Sequence, residues 1–190
     1  MTESFPAATV ASADLSSGTA AVMLVRYGAI PEVARAFAEG ADALRRGDRV
    51  VVSTHRGLQI ATVLEQLSPS NNVEAQDAGS FPVVRALTAD DKKTAERLAA
   101  ECEREFDAWC ERIRGWKLQL ELIDLERTLD GSKLILYVLN SRGPDCTKLA
   151  LYAAAGNLGI IEVQPVGADG LIQLETGGGC GSGGGGCHRE

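Results

Sequence analysis

The longest regular pattern in the chain is an apolar stripe between residues 88 and 115. Apolar side chains recur there at alternating spacings of three and four residues, at Ala95, Leu98, Cys102, Phe106, Trp109 and Ile113. This period is typical of an amphipathic α-helix with one buried face. Thr88, followed three residues later by Asp91, resembles a capping box, and Gly115 is the expected C-terminal cap. The stripe therefore predicts one long helix.

Short segments of β type precede this helix. They are predicted as strands at residues 20–27, 49–54, 58–64 and 83–87. His55-Arg56-Gly57 lies between two of them and indicates a hairpin, in which Gly57 can take a positive φ angle. Several strands within about 70 residues predict a small barrel or a strongly coiled sheet. The stretch 31–43 is expected to contain a helical turn.

The part after the helix predicts a hairpin, a helix and a strand. Their predicted positions are 117–129 and 133–139, joined through Asp130-Gly131-Ser132, then Pro144 to Ala155, then 160–164, with a further strand at 171–174. The fold class is α+β: a small N-terminal β-barrel-like portion, a long helix, then an antiparallel β-hairpin, a helix and a strand packed against it. We divide the chain into an arm (1–19), the barrel-like portion (20–87), the helix plus ββαβ portion (88–175) and a flexible Gly/Cys tail (176–190).

The composition limits the partners and the compartment. A net charge of −7 and a pI near 5.0 argue against a broad nucleic-acid or membrane surface, but they leave a local basic patch open. No stretch approaches about 18 apolar residues, and the N-terminus lacks the basic start of a secretory signal. An odd number of cysteines, five, does not suggest a disulfide framework. We expect a cytoplasmic protein with no membrane partner.

Three blocks of the sequence resemble one family. They are Arg46–Val52 continuing through Thr54–Leu58 to Val63, then Ala89-Asp90-Asp91 leading into a charged helix with Phe106 and Cys110, and then Leu118–Asp124 continuing through Leu129–Tyr137. Together they are similar to the polymerase-suppressor C-terminal (YaaT-like) family, across residues 22 to 167. The third block is the most specific, because its charged and apolar positions match through a whole hairpin.

The resemblance implies a regulatory role in a bacterial type of protein. Relatives act as partners in complexes that affect a phosphorelay and an RNA-cleaving enzyme, and those complexes are associated with iron–sulfur clusters. Relatives also carry a C-terminal extension with Cys-Gly-Arg and paired-cysteine motifs. This chain departs from them, since Cys180-Gly181 is followed by Ser182 and glycines and no adjacent cysteine pair exists.

Cys180, Cys187 and His188 are candidate metal ligands near the C-terminus. Thiolates and imidazole suit zinc or an iron–sulfur cluster. Their spacing matches neither a zinc knuckle nor a ferredoxin, and three ligands need a fourth from elsewhere. The sequence leaves both a metal site and a plain tail open, and no resident cofactor is expected.

Residues around the first predicted hairpin are candidates for contact with a partner or with phosphate. They are Arg45, Arg46, Arg49, His55 and Arg56. We expect the arginines to cluster at one end of the barrel, as a solvated rim, a protein-contact surface or an RNA-binding patch. Alternation along the next hairpin places Asp124, Glu126 and Asp130 on one side and Glu121 on the other, an arrangement that suits a solvent edge.

Most of the remaining cysteines are expected to be packed side chains and not reactive groups. Cys102 and Cys110 lie on the helix stripe or at its edge and are expected to be structural. Cys146 lies near a helix N-terminus, so we expect its thiol pKa to be lowered.

With two histidines and no catalytic set, the sequence indicates a protein that is not an enzyme. The leading hypothesis is an adaptor in a hetero-complex that docks through the barrel hairpin and the adjoining sheet edge; the alternatives are a metal sensor and an RNA-binding module.

Overall fold

The computed structural model describes residues 21–38, 44–67, 80–139, 143–168 and 170–172. The arm at 1–19 and the whole C-terminal tail at 176–190, with the metal-ligand candidates in it, lie outside these residues. The chain forms two compact units, which separate between Thr88 and Ala89, and the short segment Gly28–Glu32 belongs to the second unit. Among the described residues, no helix is both long and apolar enough to cross a membrane.

The first unit is a closed barrel of five strands in the order β1-β2-β5-β3-β4. The strands are β1 (Ala21–Tyr27), β2 (Glu32–Ala38), β3 (Arg49–Thr54), β4 (Gly57–Gln66) and β5 (Ser80–Ala86). β3 pairs antiparallel with both β4 and β5, and β1 pairs antiparallel with β4. The predicted barrel and its hairpin are confirmed, and Gly57 has the expected positive φ of 129°.

Over residues 32–38, the strand β2 stands in place of the helical turn that was expected somewhere within residues 31–43. Its residues Arg35 to Phe37 pair in parallel with Ser80 to Pro82 of β5. Ala36 and Ala38 point into the barrel and are buried. Alanine and glutamate are good helix formers, but helix propensity is a small preference that tertiary pairing outweighs, so residues 32–38 form a strand. Residues 39–43 lie outside the described residues.

Small β-branched and apolar side chains fill the barrel. Val25, Val50, Val52 and Val63 are completely buried and belong to one apolar cluster. Inward positions alternate with outward ones along each strand of a barrel. Because closure also removes the free strand edges, the outside of the barrel interacts with other molecules through side chains and not through its backbone.

The second unit is a four-stranded sheet in the order β6-β7-β8-β9 with two helices on one face. Its elements are α1 (Ala89–Gly115), β6 (Glu121–Arg127), β7 (Lys133–Leu139), α2 (Asp145–Ala155), β8 (Ile160–Gly167) and β9 (Gly170–Leu171). β6 and β7 form the predicted antiparallel hairpin, whereas β7 and β8 are parallel and joined through α2. The α+β fold class is therefore confirmed.

The stripe of α1 is buried as the sequence predicted. Leu98, Cys102, Trp109 and Ile113 are buried, and the last three belong to the core between the helices and the sheet. Arg127 Nη2 of β6 donates to both carboxylate oxygens of Glu105 at 2.9 Å, which ties the helix to the first strand. The long helix is thus held by an apolar face and by one ion pair.

The end of α1 differs from the prediction. Lys117, not Gly115, takes the left-handed conformation, with φ of 55°. The Leu118 N–H donates to Ile113 O at 3.3 Å and the Lys117 N–H donates to Arg114 O at 3.0 Å. These two bonds define a Schellman motif, whose left-handed position is ordinarily a glycine. Gly115 is the last residue of the helix and not its left-handed cap.

A bulge in β6 changes which carboxylates share a face of the sheet. Leu122 pairs with Val138 and Asp124 pairs with Tyr137, so Ile123 is the extra residue. Directly paired residues lie on the same face, and Glu121, which pairs with Leu139, therefore shares a face with Asp124. The expected separation of Glu121 from Asp124 was wrong because simple alternation fails across a bulge.

Candidate binding surfaces

The five hairpin residues predicted as contacts lie at two different ends of the barrel. Arg45 and Arg46 precede β3 and Arg49 begins it, whereas His55 and Arg56 form the turn after it. A strand rises about 3.3 Å per residue, so Arg49 and His55 are roughly 20 Å apart. The expected cluster of four arginines was wrong, because Arg56 is at the opposite end of the strand.

The His55 end of the barrel is a packed corner. Arg56 is only 3% exposed, which contradicts the expected solvated side chain. Its N–H donates to Thr54 Oγ1 at 3.1 Å, and that hydroxyl also lies 2.9 Å from Gln59 Oε1. The exposed His55 ring lies 5.9 Å from the Phe81 ring. A buried guanidinium is not accessible to a ligand, so only His55 remains as a contact candidate at this end.

The other end of the barrel presents Arg45 and Arg46 on a fixed turn. The Arg45 N–H donates to Asp48 Oδ2 at 2.7 Å, and the Asp48 N–H donates to Arg45 O at 3.0 Å. Gly47, with a φ of 92°, makes the bend, and its N–H donates to Val63 O of β4 at 2.8 Å. The turn is thus attached to the sheet, and both arginine side chains are exposed.

Arg26 joins this end, and the sequence did not indicate it. Arg26 of β1 and Arg49 of β3 both pair with Thr62 of β4, the strand between them. Paired residues share a face and lie about 5 Å apart at Cα, so the two arginine Cα atoms are about 10 Å apart on the outside of the barrel. We call Arg26, Arg45, Arg46 and Arg49 the arginine end.

The arginine end carries free positive charge. All four side chains are exposed, and none forms an ion pair within the part of the chain that the structure describes. Two exposed carboxylates, Asp48 and Glu65, lie beside it, and Asp48 is engaged by a backbone N–H. Within the part of the chain that the structure describes, the four guanidinium groups outnumber the two carboxylates on this acidic protein.

In the second unit, α2 is apolar on its outer side as well as its inner side. Leu149 and Ala153 are buried against the sheet, yet Leu151 is 62% exposed and Tyr152 is 42% exposed. The ring of Trp116, which follows α1, lies 5.6 Å from the ring of Tyr152. We call Trp116, Leu151 and Tyr152 the α2 surface.

Positive charge borders the α2 surface. Residues 112–120 contain Arg112, Arg114 and Lys117 and no carboxylate. The Gln119 N–H donates to Asp145 Oδ2 at 2.7 Å, which holds this segment against the start of α2. Asp145 Oδ1 accepts a 2.8 Å bond from Lys148 Nζ, so this carboxylate is already neutralised. Three cations, Arg112, Arg114 and Lys117, thus lie close to Trp116 in the sequence, in a segment flanked by Glu111 and Glu121.

The free edge of β6 is less suited to binding. β6 pairs with β7 alone among the described strands. The bulge at Ile123 distorts this edge, and Asp124 Oδ1 accepts the Leu125 N–H at 2.7 Å, so that donor is not available to an added strand. Bulges and charged side chains are common protections of sheet edges. A cleft of about 350 Å³ beside the edge is lined by Phe106, Cys110 and Leu120 together with the charged residues Arg114 and Glu121.

The described cysteines behave as structural residues. Burial raises the pKa of the Cys102 thiol, and burial together with Asp107 raises the pKa of Cys110. Burial, followed by the Asp145 carboxylate, also raises the pKa of Cys146, so the lowered pKa expected from its helix position was wrong. The described residues contain no group of three or more metal-ligating side chains. Cys180, Cys187 and His188 lie outside them, and their role stays a prediction.

Comparisons with known proteins identify no relative. No protein-family model, no curated protein and no solved structure matches the chain. The arginine end and the α2 surface are therefore interpreted from their own geometry and charge.

Proposed function

We propose that this protein is a non-catalytic adaptor that assembles with a protein partner through the α2 surface. The observation that carries the proposal is the exposure of Leu151 and Tyr152 on a helix that is also apolar on its buried side. Only the second half of α2, residues 149–155, is apolar on both its buried and its outer side, and exposed apolar patches mark interaction sites. A partner that covers this surface removes the apolar area from water.

The charge around the surface defines the partner's chemistry. Arg112, Arg114 and Lys117 lie beside Trp116, and complementary charge accelerates encounter and selects partners. The partner surface is therefore apolar at its centre, with carboxylates around it. Aromatic residues and arginine are also the residue types that are enriched at interfaces.

The sequence supports the same class of function. The resemblance to the polymerase-suppressor C-terminal family implies a cytoplasmic regulatory protein in a hetero-complex, with an effect on a phosphorelay or an RNA-processing enzyme. The protected edge of β6 disfavours docking by strand addition, so the α2 surface replaces the sheet edge in this proposal.

Affinity purification from native lysate tests the adaptor proposal. The wild type is compared with Leu151→Asp, which places a charge in the α2 surface, and with Ala99→Asp, which adds the same charge at an exposed position of α1. We expect a stoichiometric partner with the wild type and the Ala99 variant, and at least a tenfold loss with Leu151→Asp. Recovery of the protein alone, or equal recovery with all three, contradicts the proposal.

A metal-binding tail is the alternative function, and it requires Cys180, Cys187 and His188. Metal analysis of anaerobically purified protein tests it against a Cys180→Ser/Cys187→Ser variant. Stoichiometric zinc or iron that disappears in the variant supports a metal site, and background levels in both proteins exclude it.

A further inference from the structure

We propose that the arginine end of the barrel binds the phosphate backbone of a single-stranded nucleic acid. This site belongs to the first unit and is independent of the α2 surface. It rests on four exposed guanidinium groups, Arg26, Arg45, Arg46 and Arg49, none of which has an ion-pair partner among the described residues. Free cations on a protein of net charge −7 form a local anion-binding surface.

The fold holds these arginines in a defined arrangement. Arg26 and Arg49 lie on either side of Thr62 in three paired strands, about 10 Å apart at Cα. Arg45 and Arg46 lie on a turn that is fixed by Asp48 and by the bond from Gly47 to Val63. A chain of phosphates that crosses the strands at Thr62 therefore meets Arg26 and Arg49 in succession, and the turn arginines next to them.

The cations of the arginine end are arginines and not lysines, and arginine suits phosphate as a ligand. Residues 21–87 contain seven arginines and no lysine. The planar guanidinium group donates two parallel hydrogen bonds to one phosphate, which an ammonium group cannot do. Four of these seven arginines form the arginine end, so every cation of the proposed site can bind a phosphate in this way.

The small extent of the arginine end favours a narrow ligand over a broad one. A membrane surface or a duplex is wider than the pair formed by Arg26 and Arg49, whose Cα atoms lie about 10 Å apart. A single strand follows the row of arginines, and charges more than about 8 Å away are largely screened at physiological salt. The ligand is therefore single-stranded, and its contacts are to the backbone and not to particular bases.

Fluorescence anisotropy of labelled 12-mers tests this with the full-length protein. The probes are oligouridylate and oligothymidylate, titrated between 50 and 200 mM salt. Four phosphate contacts predict a slope of log K against log salt of about −2.8, a loss of roughly 50-fold over this range. The ratio of the two affinities identifies RNA or DNA as the source of the backbone, and tighter binding of either one supports the site.

Variants at the arginine end make the test specific. We expect Arg26→Gln/Arg49→Gln to reduce the slope by about 1.4, in proportion to two lost contacts. Arg26→Lys/Arg49→Lys keeps the charge and the slope but weakens binding, because the bidentate geometry is lost. Lys92→Gln/Arg104→Gln on α1 removes the same charge from exposed positions and is expected to leave binding unchanged.

Three outcomes overturn the proposal. They are no binding of either 12-mer at 50 mM salt, equal weakening by the α1 control variant, and binding to vesicles with anionic lipid but to neither oligonucleotide. Thermal unfolding of each variant shows whether the barrel is intact. If Arg26→Gln/Arg49→Gln does not fold, Arg45→Gln/Arg46→Gln in the exposed turn gives the same comparison.

Discussion

The hydroxyl of Tyr137 donates a 2.6 Å hydrogen bond to Glu126 Oε2, and the same oxygen accepts the Ala29 N–H at 2.9 Å. Tyr137 is completely buried in β7. A Cβ atom at Gly28 would lie 3.5 Å from the Tyr137 hydroxyl oxygen and 3.1 Å from Ile30 O, and φ there is 84°. One carboxylate oxygen thus attaches segment 28–32 to the sheet of the second unit.

Removal of this hydroxyl is expected to destabilise the second unit. Tyr137→Phe takes one donor from a carboxylate, and bonds to charged groups contribute about 1.5–3 kcal/mol. Urea unfolding followed by tryptophan fluorescence measures the loss, since Trp109 and Trp116 are the only tryptophans and both lie in this unit. Tyr152→Phe, at an exposed tyrosine, is the control and should change stability by less than about 0.5 kcal/mol. Equal effects of the two substitutions would contradict the assignment.

Asp130, in the turn between β6 and β7, is expected to contribute to the free energy of unfolding in a way that depends on pH. Burial opposes ionisation, but bonds from the Thr128 hydroxyl at 2.6 Å and from Ser132 together lower the pKa of Asp130 below 3.8. A lowered pKa means that the unfolded chain takes up the proton first as the pH falls. The stabilisation is therefore present at neutral pH and is lost progressively as the pH falls through 3.8 and then through the lower pKa of the folded state.

The variant Asp130→Asn isolates this effect of charge. We expect the wild type to be more stable at pH 7 and the difference in unfolding free energy to shrink as the pH falls below 3.8. Glu103→Gln, at an exposed position of α1, should show little difference at any pH. A difference in unfolding free energy between wild type and Asp130→Asn that stays constant down to pH 3 would contradict this prediction.

The left-handed residue after α1 is expected to be a site of stabilisation. Lys117 has a φ of 55°, which costs an L-residue roughly 1 kcal/mol relative to glycine. Part of this cost is offset by the greater freedom of glycine in the unfolded chain. Lys117→Gly should therefore raise the unfolding free energy by about 0.5 kcal/mol. Lys117→Ala shortens the side chain without relieving the backbone and should give no gain; a similar gain from both would assign the effect to the side chain.

Cys146 is expected to be a poor nucleophile. Burial and Asp145 raise its thiol pKa above 9.0, and the thiolate is the reactive form. Alkylation by iodoacetamide, resolved by peptide mass spectrometry, should therefore be slow at pH 7.5 and continue to accelerate beyond pH 9. Asp145→Asn should speed the reaction of Cys146 and leave that of Cys110 unchanged. A rate that levels off below pH 8 would show a lowered pKa instead.

The sequence predicted elements whose pattern is internal to a short segment. The stripe of α1 and the turn at Gly57 depend on spacing and on local backbone conformation, so they could be recognised directly. β2 could not, because its pairing partner β5 begins more than 40 residues later. The bulge at Ile123 was also hidden, since alternation along β6 gives no sign of an extra residue.

The candidate sites likewise divide into residues that the local sequence groups together and residues that only the tertiary structure brings to them. Arg45, Arg46 and Arg49 are neighbours in sequence and could be grouped, but Arg26 joins them only through the register of β4. Arg56 was grouped with them although the predicted strand 49–54 already separates it from Arg49, and an extended strand of that length places the two residues at opposite ends. The outward Leu151 was predicted to be part of an ordinary helix, since burial depends on what lies against each face.

The parallel pairing of β2 with β5 also determines when the barrel can close. The β3–β4 hairpin has a two-residue turn and can form within microseconds. The β2–β5 seam joins residues 45 apart in the chain, such as Arg35 and Ser80, and long-range pairing of this kind is slow. During synthesis, the barrel therefore stays open until β5 has emerged from the ribosome. Substitutions in the hairpin turn are expected to change the folding rate, and those along the seam the unfolding rate.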